Sequence, residues 1–216
     1  MIRISTLLNN EAVMTYASNL SSHIREYFFA QKYLSKLPRQ AYLVLNNIIL
    51  QNGDGATQID HIVVSPFGVF VIEEKNHRAN VWGPDRNTHW RSYYTYNDGQ
   101  KYFAYQSPLL QNAGHINVLK HLIPSHLHKT LVSIISFTES AYIRYKGVLN
   151  SQEHIVVSEE LCDLISSYRK QVLSMAEVGK IAQAILDANQ QTPDNTRKHI
   201  ETIRLKYPNV SRPIHA

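Results

Sequence analysis

Three dense apolar runs lie between residues 41 and 75, each short, rich in branched aliphatic side chains and bounded by turn formers. AYLVLNNIIL (41–50), QIDHIVV (58–64) and VFVIEEK (69–75) therefore predict strands. QNGDGAT (51–57) supplies the first turn. Ser65-Pro66-Phe67-Gly68 supplies the second, with proline at position i+1 and glycine at i+3. Upstream, Ile24, Phe28, Tyr33, Leu34 and Leu37 roughly follow helical spacing, so residues 11–37 predict helix, in one piece or two, ended by Pro38. Downstream, residues 76–88 are polar and irregular. HWRSYYTY (89–96) and QKYFAY (100–105) flank Asn97-Asp98-Gly99 and predict a hairpin. SPLLQNAGHINVLKHLI (107–123) predicts a helix with Pro108 near its first position. KTLVSIISF (129–137) and EHIVVS (153–158) read as strands, and Ser158 as the cap of a helix running to Tyr168. Ser174 and Glu177 make a capping box that opens a helix to Asn189, and Thr192-Pro193 begins a last helix. The order predicts a mixed α/β or α+β domain with a helical C-terminal extension.

Charged residues interrupt two of the apolar strands, and their spacing is informative. If Ser65 pairs with Gly68, Asp60 lies opposite Glu73 and Gln58 opposite Lys75, with Cβ atoms of opposed residues about 4.5–5.5 Å apart. Alternation then gives Asp60, Glu73 and Lys75 one shared face. A type I turn with Gly68 as a bulge shifts the register by one and sets Asp60 against Glu74. The first register is preferred because it leaves the lysine beside the acids. Paired carboxylates at the end of apolar strands bind a hard cation such as Mg²⁺ and leave room for water and phosphate oxygens. The cation polarises a phosphoryl group and acidifies water. A nearby lysine orients the water and stabilises developing negative charge. The bland alternative is a solvated sheet edge with ion pairs worth about 0–1 kcal/mol each.

Composition adds bounds. The chain has 216 residues, of which 44% are apolar, enough for one full-sized core. A net charge of +5 favours polyanionic partners, though weakly. No stretch approaches the roughly 18–20 uncharged apolar residues of a membrane span. Asn9, Asn10 and Glu11 interrupt the start, so no signal-peptide core is read there, and Cys162, the single cysteine, allows no intrachain disulfide. The expectation is a cytoplasmic protein.

TQIDHIVVSPFGVFVIEEKN (57–76) resembles the central motif of the nuclease-related domain (NERD) family, placed in the PD-(D/E)XK nuclease superfamily. The likeness extends to SKLPRQAYLVLNNIIL (35–50), Trp90 and SPLLQNAGHINVLKHLI (107–123), covering residues 24–138. The resemblance implies a restriction-endonuclease-like mixed sheet flanked by helices, with the family domain over 1–190 and a C-terminal helix and basic tail over 191–216. It implies Asp60, Glu73 and Lys75 as the Asp…Glu-x-Lys core, with Gln111 and Gln58 matching the family's glutamines. The family's first helix carries Gly-Glu, whose glutamate supports the metal. Glu26-Tyr27 stands there, so Glu26 is the third implied metal ligand, one position early. Glu74 replaces a residue that is usually small or apolar. The implied activity is Mg²⁺- or Mn²⁺-dependent cleavage of DNA, with RNA second. A non-catalytic nucleic-acid or protein-binding module on the same fold is the alternative, and a hydrolase of small phosphoesters a third.

Other constellations are weaker. His121, His126 and His128 lack zinc-ligand spacing. His115 lies four residues after Gln111 and shares its helix face, as support for the site or as a core-edge histidine. His61 should face away from Asp60, and Cys162 should be buried. Trp82, Trp90, Tyr93, Tyr94, Tyr96, Tyr102, Phe103 and Tyr105 interleave with Arg86, Arg91 and Lys101. Such mixing suits nucleic-acid contact, with Arg91 and Lys101 as substrate-binding candidates. Cross-strand aromatic pairs in a hairpin are the preferred reading. Arg197, Lys198, Arg204, Lys206 and Arg212 could add phosphate contacts, or form a wet helix face.

Overall fold

A computed structural model describes residues 28–76, 79–86, 89–96, 99–138 and 142–190. Glu26, most of the first predicted helix, the helix expected from Thr192 and the basic tail lie outside these described residues.

In chain order the elements are helix α1, described over residues 28–33, and strands β1 (Leu43–Asn52), β2 (Gly55–Ser65), β3 (Gly68–Lys75), β4 (Asn80–Gly83), β5 (His89–Tyr96) and β6 (Gly99–Gln106). They continue with α2 (Pro108–Lys120), β7 (Leu131–Phe137), β8 (Tyr142–Tyr145), β9 (Glu153–Val157), α3 (Leu161–Ser167) and α4 (Met175–Ala188). Five strands form a sheet in the order β1-β2-β3-β7-β9, and four form a second in the order β6-β5-β4-β8. β3 is central to the first, antiparallel to β2 and parallel to β7.

The first sheet is covered on both faces, which explains its near-continuous apolar strands. Ile62, Val64, Val69 and Val71 pack against Leu119 of α2 and Ile181 and Ile185 of α4. The alternate residues Val63, Phe70 and Ile72 pack with Ile134 against Phe29 of α1 and Leu161 and Ile165 of α3. Burying each such side chain contributes roughly 1.5–3 kcal/mol. A third cluster joins the two sheets, with Trp90 fully buried and stacked on Phe137 at 6.3 Å between ring centroids.

The β2–β3 turn follows the sequence. Ser65 pairs with Gly68, and the Ser65 hydroxyl accepts from the Phe67 N–H at 3.2 Å. The competing register is absent from the ladder. Alternation slips once, at Asn47, whose φ of 54° is in the left-handed region. Leu45 and Ile48 both face the α2–α4 cluster, as do Ile59 and Ile62 across from them. Asp60 sits at this slip. On the outer edge, the chain leaving α4 returns to β1: the Gln190 N–H donates to the Ile49 carbonyl at 2.8 Å, and Asn189 Oδ1 accepts from the Ile49 N–H at 3.0 Å.

Three local expectations are corrected. Residues 76–88 contain a strand, β4, and β8 was not foreseen. Ser158 does not cap a helix; its buried hydroxyl donates to the Phe137 carbonyl at 2.7 Å, and a 3₁₀ turn precedes α3. Cys162 is half-buried rather than buried, its thiol donating to the Tyr33 carbonyl. The Ser174–Glu177 capping box is present.

Candidate functional site

Glu73 and Lys75 are two residues apart on β3 and so share a face, the one covered by α2. Glu73 is 3% exposed, and the Lys75 side chain 16%. Lys75 Nζ donates to Glu73 Oε1 at 2.5 Å and to Gln111 Oε1, on α2, at 2.9 Å. One turn on, His115 brings Nδ1 within 3.5 Å of Glu73 Oε2, an oxygen without a hydrogen-bond partner among the described residues. Burial alone would depress the Lys75 ammonium. The charge and hydrogen bond of Glu73, helped by Asp60 and Tyr105, outweigh it and hold its pKa above that of a free lysine.

Asn112 holds α2 in place over this site. Its buried amide donates to the Val71 carbonyl at 2.9 Å and to Ser133 Oγ at 2.8 Å, tying the helix to β3 and β7. Pro108 and the Ser107 cap fix where the helix begins.

Asp60 joins by another route. The β2–β3 ladder stops at His61–Ile72, so neither Asp60–Glu73 nor Gln58–Lys75 belongs to it. Asp60 Oδ2 accepts from the Glu74 N–H at 2.8 Å. A side-chain carboxylate thus takes the place of a ladder carbonyl where the strands part. Gln58 pairs with Ile49 of β1 and is half-buried. The charge of Asp60 also helps to raise the Lys75 pKa.

The opposite face carries a second polar group. His61 is fully buried, stacks on Phe29 at 4.9 Å and places Nδ1 2.8 Å from Asn46 Oδ1. Its Nε2 stands 3.8 Å from Glu74 Oε2. Glu74 is therefore turned away from Glu73. Arg91 and Lys101, each a substrate-binding candidate, lie on opposite faces of the second sheet: Arg91 shares the face of Tyr93, and Lys101 stands opposite Tyr94. Both are exposed. Two contributors were missed. Asn112 stood inside the Gln-Asn pair of the helix motif, a usable signal. Tyr105 had none beyond its place in the aromatic cluster.

As to a divalent ion, the described residues hold no group of three or more His, Cys, Asp or Glu placed to bind one. They do offer a buried carboxylate oxygen without a hydrogen bond, on Glu73, and a second carboxylate at Asp60. Hard oxygen donors suit Mg²⁺ or Mn²⁺.

A mixed sheet flanked by helices, with acid and lysine on its central strand, is consistent with a restriction-endonuclease-like fold. The nuclease-related domain model matches residues 21–138, and the chain belongs to that family, within the PD-(D/E)XK-like nucleases. It is also 32% identical, over 82% of its length and 81% of the other, to an uncharacterized protein of Bacillus anthracis. No solved structure matches it. Among the described residues no helix is long and apolar enough to cross a membrane.

Proposed function

We propose that this protein hydrolyses phosphodiester bonds of DNA, with RNA the second candidate, in a reaction that needs Mg²⁺ or Mn²⁺. The observation that carries the reading is the hydrogen-bonded Glu73–Lys75–Gln111 set on β3 and α2, with Glu73 buried and Asp60 bonded to the neighbouring Glu74 N–H. Membership of a nuclease-related family supports it.

Asp60 and Glu73 would hold the cation, with Glu26 the third ligand implied by the resemblance. The bound ion supplies Lewis-acid polarisation of the phosphoryl group and a more acidic water. Lys75 stays protonated, so it acts as a donor rather than as a base. Glu73 and Gln111 occupy two of its three N–H groups, which leaves one to orient the attacking oxygen. Gln111 fixes the ammonium, and Asn112 fixes Gln111 by anchoring the helix.

The test is cleavage of plasmid and oligonucleotides by wild type, Asp60→Ala and Lys75→Ala, with Mg²⁺ and with chelator. Each variant should lose at least about 100-fold in rate, the scale of a lost transition-state donor. Equal rates in wild type and variants would sink the reading. A second reading, a binding module without catalysis, is favoured by the closure of Glu73 on Lys75. DNA binding insensitive to chelator and to Glu73→Gln, without cleavage, would select it.

A further inference from the structure

The second sheet packs one face inward around Trp90, with Lys101 and Phe103 farther along that face still exposed, and leaves its other face open. Val81, Trp90, Ile143 and Tyr145 turn inward to the cluster around Phe137. Alternation sends Trp82, Arg91, Tyr93, Tyr102, Tyr142 and Arg144 outward, as the pairs Trp82–Arg91, Tyr93–Tyr102 and Trp82–Arg144 confirm. Tyr142 is 71% exposed and Tyr102 56%. The other described strand positions on this face, Asn80, His89, Thr95, Gln100, Ala104 and Gln106, include no acid. The chain has 17 Asp and Glu, yet none falls on this face among the described residues.

The cations lie over ring faces. Arg144 and Lys146 lie 5.4 and 4.9 Å from the Trp82 ring centre, and Arg91 lies 5.2 Å from that of Tyr102. Trp82, Arg91, Tyr93, Tyr142 and Arg144 line a groove of about 520 Å³. Cross-strand pairing accounts for Tyr93 against Tyr102, with centroids 5.7 Å apart. It leaves unexplained why an open face should gather cations and aromatics while excluding every acid.

We infer that this outer face binds a single strand of nucleic acid, bases stacking on Tyr142 and Tyr93 and phosphates meeting Arg91, Arg144 and Lys146. Stacking needs exposed base faces, which a duplex hides within its helix. An acidic peptide would satisfy the charges but not the rings. The inference goes beyond the proposed cleavage and stands without it.

The test is fluorescence anisotropy in EDTA with labelled oligothymidylate and a duplex of equal length, so that binding is read apart from any cleavage. The single strand should bind more tightly. Tyr142→Ala should weaken binding at least about fivefold, the lower end of what one stacked base contributes, and Tyr142→Phe should restore it. Arg91→Ala/Arg144→Ala should weaken binding and lower the slope of log affinity against log salt by about 0.7 per arginine. Lys170→Ala/Lys180→Ala removes the same charge from residues that do not line the groove and should do neither. Absent binding, a duplex bound as well as the strand, an indifferent Tyr142→Ala, or equal losses from both charge pairs would overturn the inference. Strand binding without Mg²⁺-dependent cleavage would leave it standing and remove the catalytic reading alone.

Discussion

At the scale of single residues, Glu73 is the most constrained group: a carboxylate 3% exposed, with Lys75 as its cationic partner. Removing one partner of such a pair leaves an uncompensated charge, at a cost of about 3–5 kcal/mol. Lys75→Met should therefore destabilise the protein by that order in chelator, read by urea unfolding. Glu73→Gln/Lys75→Met should recover part of the loss, whereas additive losses would show that the two do not depend on each other. His154 offers a pH-dependent counterpart far from the site. Its ring nitrogen lies 2.7 Å from the Tyr168 hydroxyl, and burial holds its pKa below the usual histidine value. The folded state thus resists protonation. The contribution is complete above the unfolded pKa of about 6.5 and is lost as pH falls from there through the lower folded value. Melting temperature should fall more steeply below about pH 6.5 for wild type than for His154→Gln. Parallel curves would refute this.

At the scale of elements, the site depends on how α2 lies across β3. Asn112→Ala removes two buried hydrogen bonds, to the Val71 carbonyl and to Ser133 Oγ, a cost of about 1–3 kcal/mol. Because Gln111 rides on the same helix, cleavage should slow as well, with little change in KM. An unchanged rate alongside lost stability would make Asn112 a packing residue only. β4 is held by a close approach: a Cβ on Gly83 would lie 2.5 Å from the Trp90 ring. Gly83→Ala should cost about 1–3 kcal/mol by overpacking, visible in a thermal melt. These elements also show where sequence was readable. Strands β1 to β3 were legible because a four-residue turn fixes the register and Pro66 and Gly68 mark it. The shared face of Glu73 and Lys75, and of Gln111 and His115, followed from local periodicity. β4 and β8 were not legible: each has four residues, and they pair in parallel across some 60 residues of chain, which no local pattern encodes. The parting of β2 from β3 at Asp60 was hidden for a similar reason. It accompanies a left-handed Asn47 on the neighbouring strand, with no glycine to announce it.

At the scale of the whole molecule, Trp90 and Phe137 join the two sheets through one stacked contact within a shared cluster. Fluorescence, carried by Trp90 and Trp82, and far-UV circular dichroism should then report one coincident unfolding transition. Phe137→Ala should lower its free energy by about 3–5 kcal/mol. Two separated transitions would show that the sheets fold independently. The return of the chain to Ile49 has a different consequence. β1 borders the five-stranded sheet, and its buried stretch Ile48-Ile49-Leu50 is apolar. Asn189 and Gln190 occupy the free N–H and C=O of Ile49, positions that would otherwise template another chain. A protein shortened to end at Ala188 would keep every strand and every helix described here, yet it would leave that border unguarded and prone to self-association.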